Sequence, residues 1–203
     1  MFVYLLIWAS IGLALIYLPR VNAPYSYSRS FNKTLPVVGL ILAGVLSDAP
    51  IWLLAALTCS ALGDWALSRS GDKSFLLGMI AFAMAHIGYI FVMLTLAPVF
   101  SVLPVGIVLL LGLSTELWLH PYTDRLQFPI RIYVIIIGAM GAVAVSLPST
   151  YGIAILGAGF FLLSDSLIAI EKFRFKLETF IMSGLIWITY VIAQVLLFYG
   201  LRG

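Results

Sequence analysis

Charge is what this chain has least of. Asp, Glu, Lys and Arg together make up 9% of its 203 residues, where a water-soluble domain carries about a quarter. So few charges cannot clothe a soluble surface, and no basic patch of the kind that grips nucleic acid is present. Cysteine occurs once, as Cys59, which excludes an intramolecular disulfide. In its apolar run Cys59 reads as a small packing residue. Histidine occurs twice, as His86 and His120, and no pair stands at helical metal-binding spacing. There is no glycine-rich phosphate loop after a strand and no serine elbow. A basic leader is missing too. The first apolar run, Phe2 to Leu18, has no basic stretch before it and ends in Pro19-Arg20, so it reads as a retained first span.

What the chain has instead is apolar length. Apolar residues make up 63% of it, and its mean hydropathy is +1.15. At about 20 residues per membrane crossing, there is room for eight spans and little else. Apolar runs between polar or Pro/Gly breaks put them near 2–18, 34–47, 50–68, 74–97, 99–118, 129–147, 150–170 and 179–200. Asp48-Ala49-Pro50, Pro98 and Pro148 mark tight turns. The expected fold is an all-α polytopic membrane protein, a bundle of eight transmembrane helices forming one integral domain over residues 1–203.

Lys and Arg set the expected orientation. Arg20, Arg29 and Lys33 fall between spans 1 and 2, Arg69 and Lys73 between 3 and 4, Arg125 and Arg131 between 5 and 6, and Lys172, Arg174 and Lys176 between 7 and 8. Those are ten of the 11 basic residues, and Arg202 alone lies on the other side. The basic loops are expected in the cytoplasm and both termini outside it, in a plasma (inner) membrane. At an offset of 101 residues Asp64 aligns with Asp165 and Tyr89 with Tyr190. That is compatible with a parallel four-plus-four repeat.

An ionisable residue within a span is costly, and by default suggests function. Asp64, in Leu62-Gly63-Asp64-Trp65, lies about 7 Å before Arg69 at the helical rise, and Asp165, in Ser164-Asp165-Ser166-Leu167, about 9 Å before Glu171. Spans 3 and 7 run in the same direction, so the two carboxylates share a depth and can face each other. A structural ion pair, with Lys33 as the cation for one of them, is the plain alternative. Glu116, near its helix end beside Trp118, reads as an interfacial carboxylate. His86 and Tyr89 are one turn apart on span 4 and are expected deeper than either Asp. On span 8, Ser183, Trp187, Tyr190 and Gln194 share one helical face. All of these could instead be interhelical hydrogen-bonding groups. A zinc site made from His86 and the two Asp is the weaker reading, since His86 is expected a turn or more away in depth.

Several short motifs carry a resemblance. They are Lys33-Thr34-Leu35-Pro36, Leu62-Gly63-Asp64 with Leu67-Ser68, and Gly78, Phe82, His86 and Tyr89. Arg131, Tyr133 and Met140 follow, then Phe161 with Ser164-Asp165-Ser166-Leu167, and Tyr190-Val191-Ile192-Ala193-Gln194. In their order and spacing the chain resembles the YhhN family of membrane proteins, whose characterised members are lysoplasmalogenases. The resemblance implies hydrolysis of the vinyl-ether bond of a lysophospholipid drawn from the bilayer to a fatty aldehyde and a glycerophospho-base. Because that chemistry is proton transfer and His86 has no second imidazole beside it, no cofactor or metal is expected. Such chemistry needs one carboxylic acid to protonate the vinyl ether and one carboxylate to stabilise the cation and activate water. Glycosidases divide that labour in the same way. Asp64 and Asp165 are the catalytic candidates, with either as the acid. Lys33, His86, Tyr89, Tyr190 and Gln194 are the candidates for contacting substrate, the alkenyl chain running past His86, Tyr89 and Tyr190. A small transporter or lipid-binding protein that uses the buried acids for proton coupling is the alternative.

Overall fold

The computed structural model describes residues 1–96, 98–123, 126–175 and 179–203. The side chains of Glu116, His120 and Phe175 lie outside that description, as do Arg125 and Lys176. The interfacial reading of Glu116 therefore falls outside the described residues.

Among the described residues the chain forms eight α-helices and no strand. They are α1 (Phe2–Tyr17), α2 (Tyr27–Val45), α3 (Ile51–Leu67), α4 (Asp72–Leu94), α5 (Val102–Leu119), α6 (Gln127–Ala144), α7 (Gly152–Ala169) and α8 (Phe180–Leu201). In a bilayer the backbone must satisfy its own hydrogen bonds, and helices do so within each segment. Large apolar side chains such as Trp8 and Ile16 on α1, Leu103 and Leu110 on α5 and Ile135 on α6 are exposed, a surface that lipid covers. Six helical segments are long and apolar enough to cross a membrane by length and composition. α3 is shorter at 17 residues, and α2 opens with the polar stretch Tyr27–Thr34.

α2 begins well before residue 34, where its apolar run starts. Ser26 caps it, accepting from the Arg29 backbone N–H at 3.1 Å, as N-cap serines do. Lys33 therefore sits inside α2, in its second turn. Between α2 and α3, Asp48 takes φ of 50°, the left-handed conformation that ends many helices and that Asp tolerates. The Ala49 N–H then closes on the Gly44 carbonyl at 3.0 Å.

The helices alternate in direction, and side chains join the loops at each end. At one end Arg29 donates to the carbonyls of Val21 (2.7 Å) and Ser68 (2.6 Å), and Arg174 donates to the Tyr122 hydroxyl. At the other, the Val99 N–H donates to the Ser146 carbonyl at 2.7 Å, and Arg202 reaches the Tyr4 hydroxyl at 3.3 Å.

The closest packed pairs are α3 with α4 and α7 with α8. Glycine permits both approaches: Gly63 lies against the Phe82 ring, Gly88 against Ala56, Gly157 against Leu197 and Gly200 against Ala154. The two halves thus order their packed pairs alike. Their residue register does not repeat. Ala56 faces Gly88, and adding 101 to both gives 157 and 189, yet Gly157 faces Leu197, two turns further on. Tyr89 and Tyr190 are accordingly not equivalent positions. α5 packs chiefly on α6. After α7 the chain runs on as a π-helical segment, Ile170–Phe175. Such wide turns are found frequently at functional sites.

Candidate active site

Asp64 closes the last turn of α3 and is 1% exposed. A carboxylate so placed needs donors. The Tyr190 hydroxyl on α8 donates to its Oδ2 at 2.6 Å, and the Lys33 ammonium on α2 stands 3.9 Å from its Oδ1. Lys33 reaches it because α2 and α3 are clamped together at this end, where Ser68 and Ser30 share a hydroxyl contact.

Asp165 lies near the end of α7 with different partners. Its Oδ2 accepts from the Tyr133 hydroxyl on α6 at 2.5 Å and lies 3.2 Å from His86 Nε2 on α4. His86 Nε2 is also 3.0 Å from the Tyr133 oxygen. The single hydroxyl hydrogen of Tyr133 goes to the carboxylate, so the arrangement fits His86 protonated on Nε2. The buried Nδ1 then carries a lone pair, and it has no partner. A missing donor is a smaller loss there than an orphaned N–H would be. With both donors on Oδ2, Oδ1 is left without a hydrogen-bond partner among the described residues.

An aromatic wall stands between the two acids' partners. Phe161, wholly buried, packs edge-on against His86 at 4.6 Å and Tyr190 at 5.6 Å, centroid to centroid. Phe82 meets both Phe161 and Tyr190. These contacts fix the ring orientations of the residues that hold each carboxylate.

Two cavities meet at this wall. One, of about 470 Å³, is polar and lies among the loops at the basic end. Arg29, Lys33, Arg69 and Lys172 line it, with both Asp64 and Asp165 at its base. Arg69 lies over the Trp65 ring and Lys172 over Phe75. Neither makes an ion pair among the described residues. The other, of about 600 Å³, is apolar and lies between α5, α6 and α7, with Phe75 and Met79 of α4 at its upper end. Leu67, Phe75, Phe82, Asp165 and Ile168 line both. Asp165 is the polar residue among those five.

The structure brings together Asp64, Asp165, Lys33 and Tyr190, all on the polar cavity. It places the other candidates elsewhere. Tyr89 donates to Gln194 Oε1 at 2.6 Å, and both are buried and line neither cavity. His86 also lines neither. It lies one hydrogen bond from Asp165, and not a turn deeper. The apolar cavity lies among α5, α6 and α7, and His86 and Tyr89 are not among the residues that line it. Tyr133 had not been singled out as a site residue, although it lies about 9 Å inside α6 at the helical rise, a depth matching Asp165. Among the described residues no three His, Cys, Asp or Glu side chains converge as metal ligands would.

Residues 28–201 match the YhhN family model. The chain is 32% identical over 179 residues to proteins named lysoplasmalogenase from Mycobacterium bovis and Mycobacterium tuberculosis, a match covering 80% of this chain and 67% of each relative. To bovine lysoplasmalogenase TMEM86A it is 31% identical over 159 residues, covering 71% of this chain and 62% of that protein. No solved structure matches. A family match that takes in six helices whole and most of α2, together with relatives at this identity, shows that the chain belongs to the YhhN family.

Proposed function

We propose that this protein is a lysoplasmalogenase-type hydrolase that cleaves the vinyl ether of a lysophospholipid at the junction of its two cavities. The observation that carries this reading is Asp165, a carboxyl group on the boundary between a basic, polar cavity and an apolar one. A lysolipid has the same division, and its vinyl ether sits at the boundary. The phosphate fits beside Arg69, Lys172 and Lys33, and the hydrocarbon chain fits among α5, α6 and α7.

The geometry divides the labour. The carbon to be protonated is the one on the chain side of the double bond, and Asp165 is the acid that borders the chain cavity. Asp165 gives its Oδ1 proton to that carbon. The positive charge then lies on the carbon and oxygen next to glycerol, on the side of Asp64. Asp64 orients water and takes its proton as the C–O bond to the cation forms. The hemiacetal then collapses: Asp64 passes its proton to the departing glycerol oxygen as the C–O bond breaks, and Asp165 takes the hemiacetal hydroxyl proton as the aldehyde C=O forms, so both acids return to their starting states. Tyr133 and His86 hold Asp165, and Tyr190 and Lys33 hold Asp64. General acid catalysis of this kind is worth about 10²–10⁴-fold. The basic end faces the cytoplasm and both termini face away, in the plasma membrane, so substrate comes from the inner leaflet.

The test is aldehyde release by purified protein from lysoplasmalogen in detergent, before and after chelation and without added cofactor. Cleavage that survives chelation supports the reading. Absence of aldehyde under all conditions, with the protein folded, overturns it in favour of a transporter or lipid-binding protein.

A further inference from the structure

We infer that Gly138 and Gly159 set the calibre of the hydrocarbon groove and so decide which chain lengths the protein accepts. This rests on the lysolipid reading above. The groove has a mouth on the bilayer: α5 packs chiefly on α6, and Leu111, Gly159, Leu163 and Ser166 on its rim are exposed. Its length follows from α7, where the ten residues from Asp165 to Ile155 span about 15 Å. That accommodates an extended chain of roughly a dozen carbons at ordinary C–C bond lengths.

Glycine lines this groove on three helices, and its surroundings differ from those of the packing glycines. A Cβ on Gly157 or Gly200 would strike the backbone of the facing helix. A Cβ on Gly138 or Gly159 would meet nothing within 4 Å, although both line the cavity. Close helix packing therefore does not account for them. Gly159 is six residues from Asp165 along α7, and Gly138 is five from Tyr133 along α6, so each lies about 8–9 Å along its own helix from a residue of the Asp165 hydrogen bond. Gly112 of α5 lies near Val134, higher in the groove. At Gly141 the walls close in, with Val108 and Leu162 both near its missing side chain. The groove is thus open at Gly138 and Gly159 and narrow at Gly141. A Cβ at either position has open space around it, so a branched side chain there projects into the groove, and Leu is a better helix former than Gly.

The test compares Gly138→Leu and Gly159→Leu with the unaltered protein on two graded series of single-chain lipids. One series is of lysoplasmalogens, read by aldehyde release. The other is of saturated alkyl lysolipids, which have no vinyl ether to cleave, read by their shift of the melting temperature in detergent. Gly106→Leu is the control, since Gly106 also has open surroundings but does not line the groove. Both groove variants should fold normally and keep short chains, while losing long ones by roughly tenfold or more, the scale on which apolar pockets sense a methylene. The Gly106 variant should keep the original profile. An unchanged chain-length profile in both series for both folded groove variants overturns the inference, as does the same shift in the control. A shifted profile for the alkyl series in a protein that releases no aldehyde from any lysoplasmalogen keeps the groove and removes the proposed reaction.

Discussion

Asp64 and Asp165 differ in the company they keep, and that difference makes them separable by mutation. Asp64→Asn and Asp165→Asn preserve shape and hydrogen bonding but can neither deliver a proton as an acid nor carry the charge. Each should lower turnover by about 10²–10⁴-fold, and the double variant should be little worse than the worse single one. Near-normal turnover in a folded Asp165→Asn protein would sink the dyad. If the pairing of Asp64 with Lys33 were merely structural, its Asn variant would instead melt early, with a stranded buried charge costing about 3–5 kcal/mol. Tyr133→Phe removes the donor that orients Asp165 and that faces the negative charge developing there as the proton leaves, and a hydrogen bond to a charged group is worth about 1.5–3 kcal/mol. The expected result is a fall in kcat of roughly tenfold to a hundredfold with KM nearly unchanged. Tyr89→Phe loses its bond to Gln194 at a buried site that lines neither cavity, and should cost about 1–3 kcal/mol of stability, because Gln194 Oε1 is left unpaired, with little loss of turnover. Equal losses of turnover for the two would contradict the assignment. The acids were legible in the sequence because lipid makes any carboxylate conspicuous. Tyr133 was not, because tyrosine is ordinary in membrane helices and its role depends on where α6 faces.

At the scale of the helix, composition and packing gave different amounts of information. The span positions followed from apolar runs, but the start of α2 did not, since a polar first turn resembles a loop until its Ser26 cap is seen. The π-helical extension of α7 was equally hidden. It carries Glu171 and Lys172 to the polar cavity and Phe173 to the apolar one, and no short pattern of side chains announces it. The 101-residue offset captured the order of packed pairs but not the slide of α8 along α7. That slide rests on Gly157, whose missing side chain would meet the Leu197 backbone N. Gly157→Leu should separate the two helices and destabilise the protein by about 1–3 kcal/mol or more, read as a lowered melting temperature in detergent. An unaltered melting temperature would mean that α7 and α8 are not held by that contact.

For the molecule as a whole, helix number and alternation were readable because eight apolar runs fill the chain. The groove between α5 and α7 was not. A helix face that touches lipid and one that touches a buried hydrocarbon have the same composition, so periodicity cannot separate them. Orientation belongs to this scale too. A reporter fused after Gly203 that works only outside the cytoplasm should be active. Silence from it, with activity from a cytoplasmic reporter in its place, would reverse the bundle and move the basic cavity to the other leaflet. The meeting of the two cavities at Asp165 has one more consequence. Cleavage there would yield an oily fragment on one side and a water-soluble fragment on the other, each already facing the solvent in which it dissolves. No separate exit is then required. Inhibition by accumulated aldehyde should weaken as bilayer is added, whereas inhibition by the glycerophospho-base should depend only on its concentration in water.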